Sequence, residues 1–238
     1  MTRARSSYCS PRTPINEAAY QGHTRLVRYI LQFHPDLDTR DKEGYRPLEN
    51  AARRGKEDCA LLLIDVERQK GANYLDKTMD LAVRKDESLL VKDLLRRGVA
   101  PNDPLPSGLS PLDSAASSGA IKSVKVLLDR GADPNRLAAN GTTPLEDASL
   151  KGFAEIAGVL LDHGARVNQV NSGSGSTALY AAASFGRESV VKMLLERGAN
   201  SNLCGRNPKT PYRAAVENGY NAVANEIKAH GGGGFCEQ

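Results

Sequence analysis

The chain has no tryptophan, four phenylalanines and eight tyrosines, so aromatic residues make up 5% of its 238 positions. A core with so few rings must be aliphatic and rich in alanine, which favours closely packed helices. No apolar run approaches the roughly 20 residues that a membrane-spanning helix needs. Charge of one sign is also lacking: 32 Lys and Arg face 28 Asp and Glu, a net of +4. Basic residues are not interleaved with aromatics, so nucleic acid is not expected as a partner. Cysteine is scarce, and Cys9, Cys59, Cys204 and Cys236 are scattered without metal-ligand spacing. They read as free thiols of a reduced, cytoplasmic or nuclear chain, and no metal or cofactor is expected. Cys236 stands third from the end, whereas a prenylation box needs it fourth. No signal peptide is read before the first repeat, and "MTRARSSYCSPR" at 1–12 reads as a disordered tail.

What the chain does have is one phrase written many times. "TTPLEDASLKG" at 142–152 has cousins in "YRPLENAARRG" at 45–55, "LSPLDSAASSG" at 109–119 and "STALYAAASFG" at 176–186. Alignment on the phrase's alanine gives Ala18, Ala51, Ala82, Ala115, Ala148, Ala182 and Ala215, at steps of 33, 31, 33, 33, 34 and 33. Four residues later stands glycine, or Asp86 in the third unit, and an apolar stretch such as "SVKVLLDRG" follows.

Each landmark has a local physical role. Ser110, Thr143, Thr177 and Thr210 can accept an orphan N–H at a helix start. Pro47, Pro111, Pro144 and Pro211 fall on the first helical position, where a missing N–H costs little. The glycine ends this short helix, and a second helix carries apolar side chains at helical spacing, as in Val124, Leu127 and Leu128. Gly131, Gly164 or Gly198 then stops the second helix. The rest of each unit reads as a β-turn finger, with "NG" at Asn140–Gly141 as a tight-turn signal. A helix pair of this size cannot bury its apolar face alone, so stacking on its neighbours must complete the core.

With its "TPLEDA…LL…GARVN" and "SPLDSA…LL…GADPN", the chain resembles an ankyrin-repeat protein from about Thr13 to Gly232. The resemblance implies an all-α solenoid of seven stacked helix-turn-helix units with short β-turn fingers. Units are expected at about 13–40, 41–73, 74–104, 105–137, 138–171, 172–204 and 205–232, with 233–238 as a flexible tail. It also implies a protein-interaction module, an adaptor, scaffold or inhibitor, whose groove and fingers grip a partner segment. Four departures stand out. Unit two runs on as "LLLIDVERQKGAN", which predicts a lengthened second helix or loop and a stunted finger. Unit three lacks the Thr-Pro start and has Asp86 for glycine. "PNDPLPSG" at 101–108 is a proline-stiffened finger, and Lys228 fits a polar end cap.

The family's histidine is absent from its place in all seven units, where Asn16, Glu49, Asp80, Asp113, Glu146, Tyr180 and Arg213 stand instead. Glu49, Asp80, Asp113 and Glu146 form a ladder of carboxylates, the residue type of general acid/base catalysis. That supports an alternative reading, a small-molecule pocket or enzyme. The same position is the third of a helix, however, so Ser110…Asp113 and Thr143…Glu146 also read as capping boxes. One turn later, Arg53, Arg54, Arg84 and Lys85 would seat an acidic segment. Glu49–Arg53 and Asp80–Arg84 are spaced i, i+4, so Arg54 and Lys85 are the less occupied pair. Further along, Leu150, Tyr180 and Phe185, with Leu109 in a preceding finger, make an apolar patch suited to a hot spot. The expected contacts on a monomeric array are therefore Tyr45, Arg53, Arg54, Arg84, Lys85, Leu109, Tyr180 and Phe185. "GSGSTA" at 173–178 follows no strand, and the single histidines His23, His34, His163 and His230 lack ligand or triad spacing.

Overall fold

The computed structural model describes residues 13–67, 75–204 and 208–236. Among them are fourteen helices in consecutive pairs. The first units are α1 (Pro14–Gln21) with α2 (Thr24–Leu31), α3 (Pro47–Arg53) with α4 (Glu57–Glu67), and α5 (Leu75–Arg84) with α6 (Ser88–Arg96). The central units are α7 (Pro111–Ser118) with α8 (Ile121–Asp129), and α9 (Pro144–Lys151) with α10 (Ala154–Asp162). The last are α11 (Ala178–Ser184) with α12 (Glu188–Glu196), and α13 (Pro211–Glu217) with α14 (Asn221–Ala229). Odd-numbered helices touch one another in sequence, even-numbered helices do the same, and each pair is joined across the two rows. The result is an all-α solenoid two layers deep. The described residues contain no β-strand.

Local chemistry sets the helix boundaries where the sequence placed them. Thr13, Ser110, Thr143, Thr177 and Thr210 each accept the N–H three residues on. Pro14, Pro47, Pro111, Pro144 and Pro211 begin their helices. Between the rows, the aligned alanine is at most 1% exposed in every unit. A side chain no larger than a methyl lets packed helices approach closely. The second helix of unit two is lengthened, as its sequence suggested: α4 has 11 residues, against 8 or 9 in the other even-numbered helices. The finger expected to be stunted falls at 68–74, outside the described residues, as does the expected tail at 1–12.

Asp86, which replaces a glycine, keeps the left-handed backbone of that turn with φ 57°. Its carboxylate accepts the N–H groups of Ser123 at 2.7 Å and Lys122 at 3.4 Å, in the first turn of α8. Glu57 does the same for α6, accepting from Leu89 at 2.8 Å and Leu90 at 3.1 Å. Neither helix has a side-chain cap of its own. Orphan helix-start donors in one unit are thus satisfied by an acid of the unit before.

The fingers are tied by a ladder of asparagines. Asn102, Asn135, Asn168 and Asn202 each donate Nδ2–H to the carbonyl of the next unit's helix-ending glycine, Gly131, Gly164, Gly198 or Gly231. Each also accepts, through Oδ1, the N–H two residues beyond that glycine. The last rung holds the C-terminal segment, where the Thr210 hydroxyl also donates to the Gly233 carbonyl. Cys204 and Cys236 are joined by a disulfide, while Cys59 is free and buried. The expectation of free thiols is corrected for this pair. Residues 233–236, expected as a flexible tail, are held at both Gly233 and Cys236.

Candidate functional site

The odd-numbered helices and the fingers together line one side of the array. Four fingers repeat the same pair of backbone bonds. Asp41, Leu105, Ala138 and Asn171 donate N–H to the carbonyls of Tyr45, Leu109, Thr142 and Ser176, and a glycine N–H closes the loop onto the first residue. Leu109 is therefore the foot of a finger, and it is half-buried.

At the end nearer the N-terminus, the candidate cations occupy corresponding positions at the C-terminal ends of α3 and α5. Arg53 does not pair with Glu49: its guanidinium bonds the Glu43 carboxylate and lies 4.4 Å over the Tyr45 ring. Lys77 lies over that ring as well, at 4.5 Å, so Tyr45, expected as a partner contact, already holds two cations of the array. Arg54, expected to be unoccupied, sits 4.6 Å over the ring of Tyr20 in the preceding unit. Such stacking on an aromatic face is worth about 0.5–1 kcal/mol at exposed sites. Arg84 keeps its expected i, i+4 partner, Asp80, at 3.0 Å. Arg54, Arg84 and Lys85 are exposed, whereas Arg53 is half-buried.

The four ladder carboxylates are each drawn into local contacts. Glu49 accepts the Arg46 N–H at 3.0 Å and pairs with Lys77 at 3.1 Å. Asp80 pairs with Arg84 and accepts the Ser114 hydroxyl at 3.1 Å. Asp113 closes the expected capping box, accepting from both the N–H and the hydroxyl of Ser110. Glu146 turns to the next finger, where it accepts from Asn171 Nδ2 at 2.9 and 3.1 Å and from the Ser176 hydroxyl. Burial pushes the Asp113 and Glu146 carboxyls up, opposed by these hydrogen bonds. Beside them, Asp147 is pushed up to about 7 by burial first, then by the charges of Asp113 and Glu146. Among the described residues, no group of three or more His, Cys, Asp or Glu is placed to hold a metal ion.

The apolar end is a cavity of about 460 Å³ between α9, α11 and their fingers. Leu150, Tyr180, Ala181 and Phe185 line it, with Glu146 and Ser176 among its polar groups. Phe185 is 48% exposed, which leaves much of its ring available. The structure thus brings Leu150, Tyr180 and Phe185 together, while Leu109 is absent from the lining. Sequence reading missed the polar contribution of the 173–176 loop, which it placed in a finger. It gave no sign that this loop lines the cavity.

Ankyrin-repeat family models match residues 15–64, 79–171 and 166–232. The chain belongs to the ankyrin-repeat family, whose repeats generally serve as protein-interaction modules. Among curated proteins, the E3 ubiquitin-protein ligase hecd-1 of Caenorhabditis elegans is 43% identical over 65 residues. That stretch is 26% of this chain and 2% of the ligase, so the likeness concerns a small part of a much longer protein. No helix among the described residues is long and apolar enough to cross a membrane.

Proposed function

We propose that the array is an adaptor, scaffold or inhibitor that grips an extended segment of one partner protein along its helix-and-finger groove. An apolar side chain of the partner would enter the cavity between α9 and α11, against Leu150, Tyr180 and Phe185. An acidic stretch of the same segment would lie over Arg54, Arg84 and Lys85. The observation that carries this reading is the cavity itself: an apolar wall with a half-exposed ring, rimmed by polar finger groups, is how interface anchors are received. Arg53 and Tyr45, which hold each other, would frame the seat, and Leu109 would act through its finger.

The small-molecule or enzymatic alternative has one supporting observation, the raised carboxyl of Glu146 on the cavity wall. Its oxygens already serve Asn171 and Ser176, which favours the structural role. The Cys204–Cys236 bond weighs against a strictly reducing cytoplasm, because such compartments keep thiols open.

The test is affinity capture on the purified array, with mass spectrometry of bound proteins and metabolites. Capture is then repeated with Phe185→Ser and with Lys85→Glu. The expected result is a protein partner whose recovery falls at least tenfold with Phe185→Ser and is also weakened by Lys85→Glu. Unchanged recovery with both variants, or recovery of a metabolite alone, overturns the proposal.

A further inference from the structure

The even-numbered helices stack through two repeating positions. At the first stand Leu26, Cys59, Leu90, Ser123, Ile156, Val190 and Val223, each eight residues after the aligned alanine. The last six are at most 2% exposed, because the preceding even-numbered helix covers them. Leu26, at the same position on α2, is 45% exposed. One turn on, Leu63, Leu94, Leu127, Leu160, Leu194 and Ile227 are 0% exposed, while Ile30 is only partly buried. Tyr29 and Phe33 extend this face, at 58% and 67% exposure, with their rings in edge contact at 5.2 Å. The opposite end of the row is unlike it: Asn221, Asn225 and Lys228 on α14 leave a polar surface to water. A solenoid needs polar caps at its ends. At the α2 end the described residues present a stacking face instead.

Charge identifies what would cover it. Arg25 and Arg28 flank the apolar row, both exposed, and α2 carries no acid. His23 and His34 stand just before and after the helix, and on α1 the Glu17 carboxylate accepts from Gln21 at 2.7 Å. Residues 1–12 contain Arg3, Arg5 and Arg12 but no Asp or Glu, so they would bring like charge to this face. A second copy docked head-to-head would set Arg25 and Arg28 against themselves. Elsewhere in the fold the occupant of this position is a helix whose own apolar row meets the i, i+4 pair.

We propose that the exposed face of α2 is a second docking surface, separate from the groove, for an amphipathic helix of a partner protein that bears carboxylates beside its apolar row. Leu26, Ile30, Tyr29 and Phe33 supply the apolar contact, and Arg25 and Arg28 set the charge preference and orientation.

The absence of tryptophan from the chain provides a clean probe. A synthetic 18-residue amphipathic peptide carries one tryptophan and leucines on its apolar face, with glutamates beside them. A second peptide replaces the glutamates with lysines. Each is titrated with the full chain while tryptophan emission is followed. Blue-shifted emission and saturable binding are expected for the glutamate peptide, with at least tenfold weaker binding for the lysine peptide. Leu26→Gln should weaken the glutamate peptide about tenfold, and the pair Arg25→Glu, Arg28→Glu should remove its advantage over the lysine peptide. Hydrogen exchange should slow over 25–33 and stay unchanged over 140–185, which separates this site from the groove.

Equal binding of both peptides, no binding, or protection confined to the groove overturns the proposal. So does a concentration-dependent dimer in sedimentation that Leu26→Gln abolishes, since the occupant is then a second copy. Binding that emerges only after removal of residues 1–12 also overturns it, because that segment is then the cover. Leu26 is half-exposed in the free chain, so its variant should keep the helical circular dichroism spectrum of the parent.

Discussion

Glu87 offers the sharpest test of how this array spends stability. Its side chain is 5% exposed, at the start of α6, and neither carboxyl oxygen has a well-formed hydrogen bond. Burial pushes its pKa up to about 8, assisted by the charge of Glu57, with lesser opposing pulls from the Gly55 amide and from Lys85. Since the native state holds this proton more tightly than the unfolded chain does, the group's contribution is intact below about pH 4.5. It drains as pH rises and is lost above about pH 8. A shift from 4.5 to about 8 corresponds to at most about 5 kcal/mol. Relaxation and water entry around a partly open turn reduce the expected effect to about 1–3 kcal/mol. Glu87→Gln removes the ionisation and keeps the shape. Urea unfolding at pH 5 and pH 8.5 should show the variant gaining about 1–3 kcal/mol on the parent between the two. Asp147 titrates in the same window but is common to both proteins, so it cancels. Parallel pH dependence of the two proteins would refute the claim that this carboxyl is buried at a cost.

Three further outcomes follow from contacts between units. Asp86→Ala keeps the strained backbone and loses two bonds to the start of α8, so it should cost about 1–2 kcal/mol in urea unfolding, with Asp86→Asn between the two. Asn135→Ala removes one donor and one acceptor bond to the next unit; a loss of about 1–3 kcal/mol is expected, with faster hydrogen exchange at Arg166. Cys204 and Cys236 lie 32 residues apart, so in the chain-entropy account reduction should cost about 3–4 kcal/mol, read as earlier melting of α13 and α14 in reduced than in oxidised protein.

How far the sequence could be read depends on the reach of each interaction. Thr143, Pro144 and Gly152 act within three or four residues of themselves, so helix starts and stops were legible one unit at a time. The period made the stacking legible too. The partner of an individual surface residue was not, because it stands one period away. Glu57 caps a helix 32 residues on, Asp86 reaches Ser123 at a separation of 37, and Arg54 covers Tyr20 across 34. Judged by its own helix, Arg54 looked unoccupied. The disulfide was hidden for the same reason: it closes between a finger and the segment that takes the next finger's place.

That one-period reach also explains why the two ends of the groove differ in character. At two junctions the residue three places after the aligned alanine meets the residue two places after it in the preceding unit. Arg54 covers Tyr20 this way, and Asn218 donates to the Ser184 carbonyl at 3.2 Å. Phe185 and Leu150 occupy the same two positions, and both line the cavity. Two apolar side chains on one diagonal cannot satisfy each other fully at a rim, so they leave a face open for a third. At the basic end Lys85 and Arg53 hold the same two positions; Arg53 is bonded to Glu43 and Lys85 is exposed. The proposed partner segment would thus meet an open apolar diagonal at one end of the array and exposed cations at the other.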